Sequence, residues 1–359
     1  MFRSGASGYF GYKEINHLLI TLLTDIMSMV HRGAFCASVL LLFLSAGGLR
    51  PATAQENIMF SGEVFADYLY QFSTLSGQGD GNNRFTYRRA RLTADADLSE
   101  QFSARFRIEA NDLIGTANGL PTPYVKDLFL KWKDAFGEGH TVLMGLQPPP
   151  SWQPAEKFWG YRSVSKTLND RVGVLSSRDM GVLVRGPLAA DGKVRYGIMI
   201  GNANGVRAEN DKYKRVYGQL EFYPSESFAA SLGSHYQLTD GGYEWNFNGF
   251  AGFRTRKFRI GVEGFYHPVK IKGISDTQDW LGLSGFVVVD VFKNNSVLAR
   301  VAFVERPDEA ILKNTLFFVA GFAIKPHHNV QFIPNIVFIE LEGEENPSVT
   351  GRMTLWIKF

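Results

Sequence analysis

The chain is 359 residues long, carries a formal net charge of +3 and has one cysteine. A lone cysteine excludes an internal disulfide framework, and the near-neutral charge leaves no electrostatic footprint for a nucleic-acid partner. After the first fifty residues no apolar run reaches the length of a transmembrane helix, so membrane residence requires strands.

Residues 1–26 precede any sensible signal start and read as a dispensable or misassigned extension, with Met27 or Met29 as the initiator. Residues 27–54 read as a signal peptide. Met29 to Gly33 gives a short basic start, and Ala34 to Ala46 an apolar core too short to span a bilayer. Ala52-Thr53-Ala54 then matches a small-x-small cleavage pattern, so the mature unit is expected at 55–359. Cys36 falls in the signal segment, which leaves the mature chain without a thiol nucleophile. Four basic and two acidic residues precede position 55, so the remainder is close to +1.

From Ile58 onward the chain breaks into alternating runs separated by turn residues. Strands are predicted at 58–72, 84–98, 102–112, 123–133, 139–147, 178–187, 193–202 and 213–224, then at 227–238, 243–254, 256–266, 282–292, 296–306, 314–325, 328–340 and 348–359. Sixteen is an even number, as a single-chain bacterial barrel with both termini on the periplasmic side requires. The odd-to-even links are mostly long (73–83, 113–122, 148–177, 203–212, 267–281, 307–313 and 341–347). The even-to-odd links are short, such as Ser225-Glu226 and Lys293-Asn294-Asn295. Long external loops alternating with tight periplasmic turns are the membrane-barrel pattern. The expected fold is therefore all-β, a transmembrane antiparallel barrel of sixteen strands with a long third external loop.

Strand faces support this. Phe102, Ala104, Phe106, Ile108 and Ala110 share one side, opposite Arg105, Arg107, Glu109 and Asn111. An Arg or Lys on the lipid face at mid-bilayer costs roughly 2–4 kcal/mol, so charges phased this regularly point inward. The predicted twelfth strand is less clean: Val287, Val289 and Val291 oppose Phe286, Val288 and Asp290. It is expected to face a neighbouring subunit or to lie under a loop.

Alternation places fifteen basic side chains inward, among them Arg89, Arg91, Arg105, Arg107, Lys131, Lys133 and Arg259, against seven acidic ones that include Glu109 and Asp127. Basic side chains lining a pore raise the local anion concentration. Cross-strand pairing of these charges, which would merely keep the lumen wet, is the competing expectation. The longest link, 148–177, carries Trp152, Phe158, Trp159 and Tyr161 among Lys157, Arg162, Lys166 and Arg171. Folded inward it becomes a constriction loop, with aromatics on the wall and basic heads towards the channel. Standing outside, it caps the barrel.

The last strand sets Val349, Gly351, Met353, Leu355, Ile357 and Phe359 on one face and Thr350, Arg352, Thr354, Trp356 and Lys358 on the other. A final strand ending in Phe resembles the C-terminal strand of bacterial outer-membrane barrels. That resemblance makes Trp356 and Phe359 candidate signals for the barrel-assembly machinery. Arg88-Arg89-Ala90-Arg91-Leu92, Gly145-Leu146-Gln147-Pro148-Pro149-Pro150-Ser151 and Arg178-Asp179-Met180-Gly181-Val182, in that order, resemble the phosphate-selective porin O/P family across about residues 58–205. The resemblance implies a sixteen-stranded, trimeric, anion-preferring porin in outer-membrane lipid, whose arginines and lysines guide small anions such as phosphate. The loop has fewer basic residues than a dedicated phosphate filter.

A barrel hydrolase is the main rival, but no Gly-x-Ser-x-Gly elbow or histidine-rich metal cluster is present, and His235 alone among the histidines falls mid-strand. An adhesive or structural barrel is the other, weakened by short loops such as Thr239–Gly242. No catalytic residue, cofactor or metal is expected.

Overall fold

A computed structural model describes residues 57–111, 120–307 and 314–359. The expected signal segment and the stretch before it lie outside the described residues, as do most of the links 113–122 and 307–313.

Among the described residues sixteen antiparallel strands close into one barrel. They are β1 (Asn57–Ser73), β2 (Asn83–Asp97), β3 (Phe102–Ala110), β4 (Tyr124–Lys133), β5 (Thr141–Gln147), β6 (Asp179–Pro187), β7 (Val194–Gly201) and β8 (Arg215–Ser225). The second half is β9 (Phe228–Thr239), β10 (Gly242–Arg254), β11 (Phe258–Ile271), β12 (Gln278–Asp290), β13 (Ser296–Glu305), β14 (Thr315–His327), β15 (Val330–Leu341) and β16 (Ser348–Lys358). The ring closes by pairing β1 with β16, from Glu63 opposite Lys358 to Ser73 opposite Val349. Closure removes both sheet edges, which a lipid environment demands because it offers no partner for unpaired backbone groups.

Alternation sorts the side chains as a membrane barrel requires. On β11 to β13, Val262, Leu283, Val301 and Phe303 are exposed on the outer face, while Glu263, Ser284 and Arg300 are buried on the inner one. The terminal residue is fixed from both sides of the backbone: Gly62 N donates to the Phe359 carbonyl at 2.7 Å and Phe359 N to the Gly62 carbonyl at 3.1 Å. The Phe359 ring lies over Gly62, where an added Cβ would sit 2.2 Å from it.

The connection between β5 and β6 contains two short helices, α1 (Gln153–Trp159) and α2 (Leu168–Val172). Pro154 sits in the first turn of α1, where its missing N–H costs nothing, and Gly160 ends the helix in a left-handed conformation with φ 71°. This connection lies within the lumen, because it touches inner-face residues on opposite sides of the ring. Arg88 on β2 and Arg352 on β16 donate to the Ser163 and Val164 carbonyls, while Glu263 on β11 accepts from Leu168 N. Its apolar side packs on the inner face of β9 to β15. Ala155, Phe158, Trp159, Val164 and Leu168 join Phe250, Phe286, Val288, Leu298, Phe317 and Val319 in one buried cluster. Gly252 makes the slot for Phe158, since a Cβ there would lie 2.6 Å from its ring.

That packing explains the two-sided apolar pattern of the twelfth strand. Phe286 and Val288 face inward beneath the loop, with Trp159 and Phe286 ring centroids 5.3 Å apart, whereas Val287 and Val289 face outward. One predicted link needs correction. The connection expected at 267–281 is short, because β11 continues to Ile271 and β12 begins at Gln278, with Pro268 opposite Asp279. Pro268 is accommodated within β11 because the β10 ladder is interrupted between the Glu244–Val269 and Phe247–Tyr266 pairs, where no bond is needed from its nitrogen.

Candidate solute passage

The inner face of β1 to β4 is the charged counterpart of the apolar wall. Arg91 Nη2 lies 2.6 Å from Glu63, and Arg89 bridges Glu63 at 3.3 Å and Glu109 at 3.1 Å. Arg105 pairs with Asp95 and Arg107 with Asp127, each at 2.7 Å. Strand pairing explains the ladder, because Glu63–Arg91–Glu109 and Asp95–Arg105 are directly opposed across neighbouring strands.

Three further cations enter this wall. Arg88 bonds Asp67 at 2.5 Å, Lys126 lies 3.4 Å from Glu109, and Arg178 pairs with Asp127. Strict alternation sends Arg88 and Lys126 outward. The register shifts between Phe65 and Ala66, opposite Arg88, and between Arg107 and Ile108, opposite Lys126. Each shift is a β-bulge that places two consecutive residues, Arg88 with Arg89 and Lys126 with Asp127, towards the same side. The resulting wall holds seven cations against five carboxylates, so most of its basic charge is paired and a modest positive excess remains.

Between this wall and the loop lies a cavity of about 250 Å³. Arg89, Arg91, Glu63 and Trp356 line it from the wall, and Glu156, Lys157 and Arg162 from the loop. Four of the sequence-predicted cations, two from each side, therefore meet around one opening. Trp356 Nε1 donates to Glu63 Oε1 at 3.1 Å, which ties the last strand to the same ring.

The loop cations have different surroundings. Arg162 is clasped between Glu156 and Asp170. Burial works against the Arg162 charge, but Asp170 and Glu156 more than offset it and hold its pKa above the ordinary value. Burial likewise opposes the Asp170 carboxylate, and Arg162 with Lys166 overcomes it, so the Asp170 pKa is lowered. Lys157 and Lys166 are exposed, with Lys166 Nζ 3.4 Å from Asp170. Arg171 stacks 3.3 Å above the Phe317 ring on the apolar wall, and burial lowers its pKa to about 10.

The remaining candidates do not line the opening. Lys133 is 3.9 Å from Asp97 near the short-turn rim, and Lys131 is half-buried on the same strand. Arg259 reaches the loop instead, with its guanidinium 5.7 Å from the Tyr161 ring. His235 is buried between Tyr217 and His267, at ring-centroid distances of 5.7 and 6.2 Å.

No protein-family profile matches the chain, and no curated protein matches it in sequence. Solved structures do match in fold. The trimer form of OmpT, an outer membrane protein of Vibrio cholerae, superimposes with a TM-score of 0.63 at 11% identity, covering 85% of this chain and 100% of that one. The outer membrane channel DcaP of Acinetobacter baumannii gives 0.63 at 12% identity, covering 87% and 99%. Salmonella typhi OmpF gives 0.61 at 10% identity, covering 84% and 97%. At these identities the likeness is one of architecture. The chain has the sixteen-stranded barrel fold of bacterial outer-membrane channels.

Proposed function

We propose that the protein is an outer-membrane porin that lets small hydrophilic solutes diffuse passively and prefers anions. The observation that carries this reading is the opening between loop and wall, where Arg89, Arg91, Lys157 and Arg162 face Glu63 and Glu156. A narrow passage with a cationic excess concentrates anions and lowers their barrier, and guanidinium forks suit carboxylate and phosphate oxygens. Phosphate is one candidate solute among several small anions. The signal peptide, the assembly role of Trp356 and Phe359, and a homotrimeric state belong to the same reading.

Purified protein reconstituted in a planar bilayer under a potassium chloride gradient tests it. A reversal potential favouring chloride is expected. A cation-favouring potential sinks the anion preference, and the absence of channel steps sinks the porin reading.

A further inference from the structure

A second cavity of about 810 Å³ lies on the far side of the loop, among residues near the ends of the longer connections. It differs in chemistry from the opening beside the charged wall. Its ionisable groups are one guanidinium, one carboxylate and one imidazole, from Arg215, Glu244 and His267, and Ser176 and Gln278 add a hydroxyl and an amide. Trp280, Val172, Val174 and Ile271 supply much of its apolar lining.

The polar groups are pre-set by their neighbours. Arg215 Nη2 donates to Gln237 Oε1 at 2.6 Å and to Glu244 Oε2 at 2.7 Å. The Arg215 side chain is 8% exposed and that of Glu244 32% exposed, so the carboxylate is the more accessible half of the pair. His267 Nδ1 lies 2.7 Å from the Trp245 carbonyl, which can only accept, so Nδ1 carries the hydrogen. The neutral ring then presents Nε2 as an acceptor. His267 in turn meets the Trp280 ring edge-on at 6.1 Å.

A simple anion that approaches Arg215 is repelled by Glu244 beside it, and a simple cation that approaches Glu244 is repelled by Arg215. A zwitterion satisfies both, its ammonium on Glu244 and the imidazole acceptor, its carboxylate on the Arg215 side. An apolar side chain on that zwitterion covers the Trp280 and valine wall, gaining roughly 25 cal/mol per Å² of apolar surface removed from water. We propose that this cavity is a binding subsite for α-amino acids bearing an aromatic or branched apolar side chain, met before the cationic passage. The proposal rests on the porin reading for its place on a transport route, whereas the binding itself is measured independently.

The test is calorimetric titration of the detergent-solubilised barrel at neutral pH with L-phenylalanine, 3-phenylpropanoate, phenethylamine and glycine. Phenylalanine is expected to bind at least about tenfold more tightly than each of the others, as loss of one charge-assisted contact, or for glycine of the apolar contact, implies. Glu244→Gln and Trp280→Ala, each confirmed as folded by heat-modifiable gel mobility, are expected to weaken phenylalanine binding about tenfold. Absence of phenylalanine binding, equal binding of phenylpropanoate or phenethylamine, or unchanged affinity in both variants overturns the subsite. Chloride current recorded on the same preparation separates the two readings. Current without phenylalanine binding leaves the channel standing and removes the subsite, whereas phenylalanine binding without current does the reverse.

Discussion

The inner faces of β1 to β4 and of β10 to β15 obey the same strand geometry and do opposite work. One carries Arg88, Arg89, Arg91, Arg107 and Lys126 laced to Glu63, Asp67, Glu109 and Asp127. The other presents Phe250, Phe286, Val288, Leu298, Phe317 and Val319, a surface that water wets poorly. The apolar half is covered by the β5–β6 loop, and the charged half is left to face the opening. Inward does not mean wet. The loop is placed by the half of the lumen that needs a cover, and the passage follows from what remains.

The largest effect is expected where the cover is nailed down. Trp159 is fully buried against Phe286 and Arg300, so Trp159→Ala should cost about 3–5 kcal/mol, read as a lower thermal midpoint. The loosened loop should also raise single-channel conductance, as should deletion of 154–172. Unchanged conductance in both variants would break the link between the apolar wall and the narrowing.

On the charged side, Arg88→Ala removes the bond to Asp67, whose side chain is fully buried, and the tie to the Ser163 carbonyl. Leaving that carboxylate without its cation should cost about 3 kcal/mol in chemical denaturation, and adding Asp67→Asn should recover part of the loss.

The loop clasp gives a pH test. The Asp170 pKa is held below its ordinary value of 3.8 by Arg162 and Lys166 despite burial. A carboxyl depressed in the folded state contributes stability above its ordinary pKa and loses it as pH falls through the lowered value. Conductance should stay flat from about pH 7 to about pH 5, with loop noise appearing only under strongly acidic conditions. Asp170→Asn should show that noise already at neutral pH.

The smallest structural effect belongs to Lys157. It is exposed at the opening, so Lys157→Glu should change stability by no more than about 0.5 kcal/mol while moving the reversal potential towards cations. A stable variant with unmoved selectivity would take the passage away from this side of the loop.

Strand number, phase and the inward path of Arg89, Arg91, Arg105 and Arg107 were legible because a period of two is written directly in residue order. Arg88 and Lys126 were not. A bulge is a choice of register between two strands, and neither strand alone records it. The apolar face of Phe286 and Val288 was visible as an anomaly, but its cover lies more than a hundred residues away at Trp159. The pairing of Arg105 with Asp95 was anticipated in kind. The clasp of Arg162 by Glu156 and Asp170 depends on how α1 and α2 fold back, which side-chain alternation does not encode.

The most direct test of the two-sided lumen is thiol accessibility in the open channel, with Cys36 replaced by alanine. Arg91→Cys and Val319→Cys would each be exposed to a water-soluble, charged methanethiosulfonate during bilayer recording. With a two-sided lumen, stepwise current change is expected for the cysteine at 91 and none for that at 319. Equal modification at both positions, or modification at 319 alone, would contradict it.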